Sequence, residues 1–86
     1  MIAELGGNML TESEVLQAIG AAIEDPNFNR ESTTENTENW DSLGVLSIFA
    51  TLSKLTSGKS DQLPQIVNIE SAQELMSLLR ENHLVQ

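Results

Sequence analysis

Apolar residues recur at helical spacing in three separate stretches of the chain. The first contains Val15, Leu16, Ile19, Ala22 and Ile23, which fall on one face of a helix. The preceding residues 11–14 (Thr-Glu-Ser-Glu) fit a capping box, in which the first and fourth side chains bond each other's backbone N–H groups. Because Pro26 disfavours a helical residue before it, a first helix is predicted at about residues 11–24.

The most apolar helical stretch begins at Ser42. Its stripe consists of Val45, Ile48, Phe49, Leu52 and Leu55, with Leu43 and Leu46 beside it. The pattern predicts a second helix from Ser42 to about Thr56, with Gly58 as its C-terminal cap. The stripe is wider than one neighbouring helix covers. Part of it is therefore expected either to be buried by another helix or to remain available to a ligand or partner.

A third main helix is predicted from about Ser71 to Glu81. Residues 71–74 (Ser-Ala-Gln-Glu) form a second capping box, and Leu75, Met76, Leu78 and Leu79 follow at helical spacing. Before this helix, residues 63–67 are compatible with one short helical turn or an extended segment, since proline is tolerated in a first turn. No segment alternates as a strand does. The prediction is an all-α fold with three main helices and one short helix.

The chain is short enough to form a single domain, predicted at residues 11–82. Residues 1–10 contain a Gly-Gly pair and no clear period, which indicates a flexible lead-in, and residues 83–86 are predicted to be a C-terminal tail. Residues 25–40 form a long polar loop. Phe28 is expected to anchor this loop to the core, and Trp40 to close it over the core or to shield a group bound next to it.

The charge is strongly acidic and uneven. The chain contains thirteen acidic and four basic residues, which gives a net charge of −9. This charge argues against nucleic acid or an anionic membrane as a binding partner and favours a basic protein. Residues 1–41 hold nine acids and one arginine, whereas residues 42–60 hold two lysines and no acid. There is no cysteine, no signal-peptide pattern and no apolar run approaching a membrane span. A cytoplasmic protein without membrane insertion is expected.

Few side chains in the sequence suggest catalysis, metal binding or covalent modification. His83 has no partner placed by sequence for a catalytic triad or a metal site, and residues 24–41 do not match a calcium-binding loop. No catalytic residue and no metal site is therefore predicted. Ser42 differs, because Asp41-Ser42 opens an apolar helix, and a hydroxyl at the positive end of a helix dipole suits a phosphate. The alternative is that this pair simply caps the helix.

Residues 40–44 (Trp-Asp-Ser-Leu-Gly) resemble the Asp-Ser-Leu prosthetic-group motif of the acyl carrier protein family. The resemblance covers about residues 11–82 and includes the acidity, the long loop before the serine, the apolar second helix and the Ile69-Glu70-Ser71 start of the last helix. It implies a four-helix bundle in which a phosphopantetheinyl transferase attaches 4′-phosphopantetheine to Ser42. The thiol of this arm would carry an acyl group as a thioester to partner enzymes, and the chain itself would not be an enzyme.

The same resemblance implies roles for the neighbours of Ser42. Asp41 would position the serine or a metal during modification, and Leu43 would contact the arm or the modifying enzyme. The plain readings are a helix cap for Asp41 and a core residue for Leu43. Leu46 and Ala50 lie where the family meets partners and the acyl chain, or else they pack. Glycine at position 44 lowers helix stability by about 1 kcal/mol relative to alanine. A close approach of the arm, a partner or the first helix to this residue would offset that cost.

One feature departs from the family. Carriers of fatty-acid synthesis typically display acidic residues on the second helix, whereas the polar positions here are Ser47, Thr51, Ser53 and Lys54. We therefore expect a monomeric, specialised carrier in a fatty-acid, polyketide, lipid-modification or aminoacyl pathway, with partners that have basic or apolar docking surfaces. The alternative is an unmodified interaction module that binds a partner through the apolar face of the second helix. A hydrolase with Ser42 as nucleophile is disfavoured, because no general base is placed beside it.

Overall fold

The computed structural model describes residues 10–86, which form three α-helices and two short 3-10 helices. The α-helices are α1 (Glu12–Ala22), α2 (Ser42–Leu55) and α3 (Ala72–Glu81), and the 3-10 helices are Lys59–Gln62 and Pro64–Asn68. These residues contain no β-strand, only two isolated bridges, so the all-α prediction is confirmed for them. Apart from Leu10, the predicted lead-in lies outside the described residues. Within residues 10–86, no helix combines the length and apolar character that crossing a membrane requires.

The helix starts follow from the polar residues that precede them. At α1 the Thr11 N–H donates to the Glu14 carboxylate at 2.9 Å, and the Glu14 N–H donates to the Thr11 hydroxyl at 3.1 Å, so the predicted capping box is complete. At α3 only half of the predicted box forms. The Ser71 hydroxyl accepts from the Glu74 N–H at 3.1 Å, but the Glu74 carboxylate accepts from Glu70 rather than from Ser71.

The three α-helices end in the same way. The residue after each C-cap has a positive φ, and the next N–H donates to the carbonyl five residues earlier, which is a Schellman motif. The positive-φ residues are Glu24, Ser57 and His83, with φ of 58°, 56° and 60°. The closing bonds run from Asp25 to Gly20 (2.8 Å), from Gly58 to Ser53 (2.8 Å) and from Leu84 to Leu79 (2.9 Å). None of the three residues is glycine, the usual occupant of this position.

This motif corrects two predicted helix ends. Helix α1 ends at Ala22 rather than near residue 24, because Glu24 is already in the left-handed conformation. After α2 the cap position belongs to Thr56 and the left-handed position to Ser57, while Gly58 lies one residue further with a φ of 87°. The glycine therefore lies one residue after the Schellman position, where Ser57 adopts a left-handed backbone that glycine would adopt at lower steric cost.

One apolar core joins the helices, the long loop and the C-terminus. Its helical members are Val15, Ile19 and Ile23 at α1, Ile48 and Leu52 on α2, and Leu75, Met76 and Leu79 on α3. Phe28 anchors the loop as predicted, and Trp40 closes it over the core with its ring 5.6 Å from that of Phe28. Because Trp40 is buried, its ring is not available to shield a bound group.

Two residues of the predicted C-terminal tail, Leu84 and Val85, pack on the core. Val85 is buried in the core and forms an isolated bridge with Leu10, whose carbonyl accepts from the Gln86 N–H at 2.9 Å. Leu10 and Val85, which lie just outside the predicted domain of residues 11–82, thus both pack with the core.

The loop between α1 and α2 is held at several points besides its two aromatic anchors. Its middle pairs with the start of α3, where the Thr34 N–H donates to Glu70 at 2.9 Å and the Ala72 N–H donates to Ser32 at 2.8 Å. An ion-pair triad adds a further tie. The Glu12 carboxylate contacts Arg30 of the loop at 3.2 Å and Arg80 of α3 at 2.9 Å. The loop thus approaches α2 along a defined path.

We predict that Ser57→Gly stabilises the protein by about 0.5–1 kcal/mol, because glycine adopts the left-handed conformation without the steric cost that a side chain incurs. Urea unfolding followed by circular dichroism measures this change. The matched control is Ser47→Gly, at an exposed position inside α2, which should destabilise by about 0.5 kcal/mol. Equal destabilisation by both substitutions would contradict the assignment of Ser57 to the Schellman position.

Candidate functional site

Asp41 is the residue that starts α2. Its carboxylate accepts a hydrogen bond from the Gly44 N–H at 2.9 Å, and its carbonyl accepts from the Val45 N–H at 2.8 Å. The backbone of Asp41 is extended, as expected of a residue outside the helix proper. Of the two readings of Asp41, the helix cap is therefore present in the structure, and it fixes Ser42 as the first helical residue.

Ser42 is exposed at the N-terminal end of α2. Within residues 10–86, its hydroxyl makes no hydrogen bond, and neither do the backbone N–H groups of Ser42 and Leu43. The first turn of α2 carries no acidic residue. The Asp41 carboxylate caps this end of the helix dipole, and the two unbonded N–H groups beside the Ser42 hydroxyl remain as donors for an anionic group attached there.

Two large apolar side chains lie exposed next to Ser42. Leu43 is 75% exposed and Leu46 is 63% exposed, so the reading of Leu43 as a core residue is wrong. Ala50, one turn further along, is also exposed. Val67 is 41% exposed on the second 3-10 helix, which packs against α2. We call Leu43 and Leu46 the apolar pair; it supplies a hydrophobic contact surface within one turn of the serine.

Gly44 is required by the loop itself. The residue is buried, and a Cβ at this position would overlap the backbone carbonyl oxygen of Asn39. The close approach predicted for Gly44 therefore exists, and within the described residues it is made by the preceding loop rather than by α1. The Asn39 side chain in turn donates to the Ile23 carbonyl at 2.9 Å, which ties the end of α1 to the start of α2.

Asn39 is the member of this site that the sequence reasoning missed. The signals were an asparagine, whose amide reaches unpaired helix-end carbonyls, and a glycine in the first turn of a helix. Neither signal identifies the group that the residue contacts. The carbonyl that Asn39 binds belongs to Ile23, which lies 16 residues away along the chain. Among residues 10–86, no group of three or more His, Asp or Glu side chains is arranged to hold a metal ion.

Comparisons with protein-family models, curated proteins and solved structures found no match for this chain. The features of this chain that indicate a function are therefore the chemistry and the surroundings of Ser42.

We predict that Gly44→Ala destabilises the protein by about 2–3 kcal/mol, because the new methyl group displaces the Asn39 backbone and strains the junction. Helix propensity alone predicts the opposite, a gain of about 1 kcal/mol. Ser47→Ala, at an exposed position of the same helix, is the control and should change stability by less than about 0.5 kcal/mol. A stabilised Gly44→Ala protein in urea unfolding would rule out the tight junction.

Proposed function

We propose that this chain is a carrier protein of the acyl carrier type, with 4′-phosphopantetheine attached to the Ser42 hydroxyl through a phosphodiester. The observation that carries this proposal is the exposed Ser42 hydroxyl, free of hydrogen bonds within residues 10–86, at the first position of α2 directly after its aspartate cap. A serine in this position has both the access and the electrostatic surroundings that a phosphate-linked group requires.

The residues around Ser42 fit such a group. The N–H groups of Ser42 and Leu43, which make no hydrogen bond within residues 10–86, are suitable donors for phosphate oxygens, and the dipole of α2 stabilises the added negative charge. The arm supplies the thiol that carries an acyl group as a thioester, in a chain that has no cysteine of its own. The protein then holds and presents the group, which requires neither a nucleophile nor a general base from its own side chains.

The fold is compatible with the four-helix carrier architecture. In this proposal, helices α1, α2 and α3 would be the three main helices, and the 3-10 helices at Lys59–Gln62 and Pro64–Asn68 would take the place of the short one. The 19 residues that separate Ala22 from Ser42 are pinned to the core, so that they deliver the serine to one end of the bundle. We further propose a monomeric protein acting in the cytoplasm.

The surface of α2 points to specialised partners. A phosphopantetheinyl transferase and the later acyl-transferring or ligating enzymes would meet the apolar pair, because α2 contains no acidic residue. Such docking depends on hydrophobic burial more than on electrostatic steering. This feature supports a role in a polyketide, lipid-modification, aminoacyl or specialised fatty-acid pathway rather than in general fatty-acid synthesis.

A second candidate function is favoured by the exposure of Leu43 and Leu46 alone. An unmodified interaction module would use the apolar pair to bind a helix of a partner protein. The two functions differ in their dependence on the serine. A module keeps its partner binding in Ser42→Ala, whereas a carrier loses its function in that variant.

Modification by a transferase tests the carrier proposal directly. We expect the intact mass of the purified chain to increase by one phosphopantetheinyl group on incubation with coenzyme A, Mg²⁺ and a broad-specificity phosphopantetheinyl transferase. Ser42→Ala should remain unchanged, whereas Ser47→Ala, which removes another exposed hydroxyl of α2, should be modified normally. A folded, unmodified sample that gains no mass with several transferases would contradict the proposal and favour the interaction module.

A pair of substitutions tests whether Asp41 acts by capping α2. Asparagine caps helices about as well as aspartate, so we expect Asp41→Asn to retain stability within about 0.5 kcal/mol and to be modified at a similar rate. Asp41→Ala should lose about 1 kcal/mol and be modified more slowly, because the turn that presents Ser42 frays. Stability comes from urea unfolding and the rate from timed mass spectra. Slow modification of the stable asparagine variant would instead assign the carboxylate a direct part in the transfer.

A further inference from the structure

A groove of about 430 Å³ lies beside the C-terminal half of α1, outside the Ser42 site. Its apolar walls are formed by Leu16, Ala21, Pro26 and Phe28. Gly20 is buried against the turn that follows α1, where a Cβ would lie 2.8 Å from the Asp25 carbonyl oxygen and 3.2 Å from the Phe28 Cβ. The groove therefore depends on the close packing of this turn on the helix.

Two carboxylates border the groove at the C-terminal end of α1, where the helix dipole disfavours negative charge. Glu24 and Asp25 follow the last turn of α1, at the negative end of its dipole, and that turn contains no basic residue. Glu24 is exposed and also holds the strained left-handed position with a φ of 58°. The charge pattern at this end of α1 is thus locally unfavourable in the free protein.

The chain has little positive charge with which to offset these carboxylates. Arg30, the basic residue of the adjoining loop, is paired with Glu12, which also pairs with Arg80. The two remaining basic residues, Lys54 and Lys59, belong to α2 and the first 3-10 helix. A cation on a binding partner would therefore meet an acidic rim with which no basic side chain of residues 10–86 is paired.

We propose that this groove docks a basic amphipathic helix of a partner protein. The helix would place apolar side chains against Leu16 and Phe28 and a lysine or arginine against Glu24 and Asp25. From Leu16 to the end of α1 at Ala22 the groove runs for roughly 9 Å, and the turn at Glu24 extends it to about two helical turns, which suits anchors at i, i+3, i+4 and i+7 of a partner helix. A single small cation would leave most of the apolar wall uncovered.

This surface is distinct from the apolar pair but belongs to the same end of the bundle. The bond from the Asn39 side chain to the Ile23 carbonyl joins the end of α1 to the residues just before Ser42. A partner helix in the groove would therefore lie near the end of the bundle that carries the serine. The docking itself goes beyond the carrier proposal, because none of the groove residues depends on the modification of Ser42.

The test uses the Ser42→Ala protein, so that its outcome is independent of modification. The probe is a synthetic helical peptide with leucine at i, i+3, i+4 and i+7 and lysine at the other positions. Titration into ¹⁵N-labelled protein should shift the backbone amides of Gln17, Gly20, Ala21, Glu24 and Phe28, and the affinity should fall at high ionic strength. A peptide with serine in place of leucine, or glutamate in place of lysine, should bind much more weakly.

Variants of the groove complete the test. Glu24→Gln should weaken peptide binding about threefold, as expected for loss of one exposed ion pair, and Ala21→Lys about tenfold, since it adds a like charge inside the groove. Both positions are exposed, so the fold should survive, which circular dichroism verifies. Glu81→Gln is the matched control, because it removes an exposed acid from the end of α3 and should change affinity by less than about twofold.

Three outcomes would overturn the proposal. The first is the absence of binding by the leucine–lysine peptide. The second is a set of shifts centred on Leu43 and Leu46 instead of α1. The third is an equal loss of affinity in Glu24→Gln and Glu81→Gln, which would indicate general attraction to a protein of net charge −9.

Discussion

The contact between the Asn39 carbonyl and Gly44 fixes where the second helix begins. Without a Cβ at residue 44, the incoming loop lies directly against the first turn of α2, and the Asn39 side chain at the same time closes the open end of α1. Asp41 then has one position from which its carboxylate reaches the Gly44 N–H. Ser42, the first residue after this cap, is exposed at the start of the helix.

The distribution of charge separates two kinds of surface at this end of the molecule. The Glu12 carboxylate binds two of the four basic side chains, and the last turn of α1 is left without a cation. Helix α2, in contrast, presents leucines and no acid. Exposed charges mainly raise the rate and selectivity of association, whereas apolar contact area contributes most of the affinity. A partner that meets both surfaces would therefore be oriented by α1 and held by α2.

The sequence predicted best those features that depend on neighbouring residues. Capping residues and apolar spacing placed all three α-helices, and the polar composition of residues 25–40 left Phe28 and Trp40 as the only candidates to anchor the loop. Helix ends were predicted less well, because the usual signal is glycine and all three left-handed positions carry other residues. Their conformations are imposed by the closing hydrogen bonds and by the packing of the segments that follow, which sequence spacing does not reveal.

At the candidate site the limit of prediction was tertiary contact. Ser42 was predicted because a position at the start of a helix follows from local sequence alone. The exposure of Leu43 was not, since it depends on which elements cover each face of α2. The same applies to Gly44. A glycine in the first turn of a helix indicates that another group lies close to it, but the sequence does not identify that group as Asn39.

The cap geometry also bears on the plainest alternative for the Asp41-Ser42 pair, that both residues serve only to begin a helix. Capping needs one side chain, and the Asp41 carboxylate provides it through the Gly44 N–H. The Ser42 hydroxyl is then left without a structural role within residues 10–86, at a position where alanine or glutamate would favour the helix more. An interaction module built on Leu43 and Leu46 has no use for this hydroxyl either. A carrier requires it, and for that reason the carrier proposal explains more of the junction than its rival does.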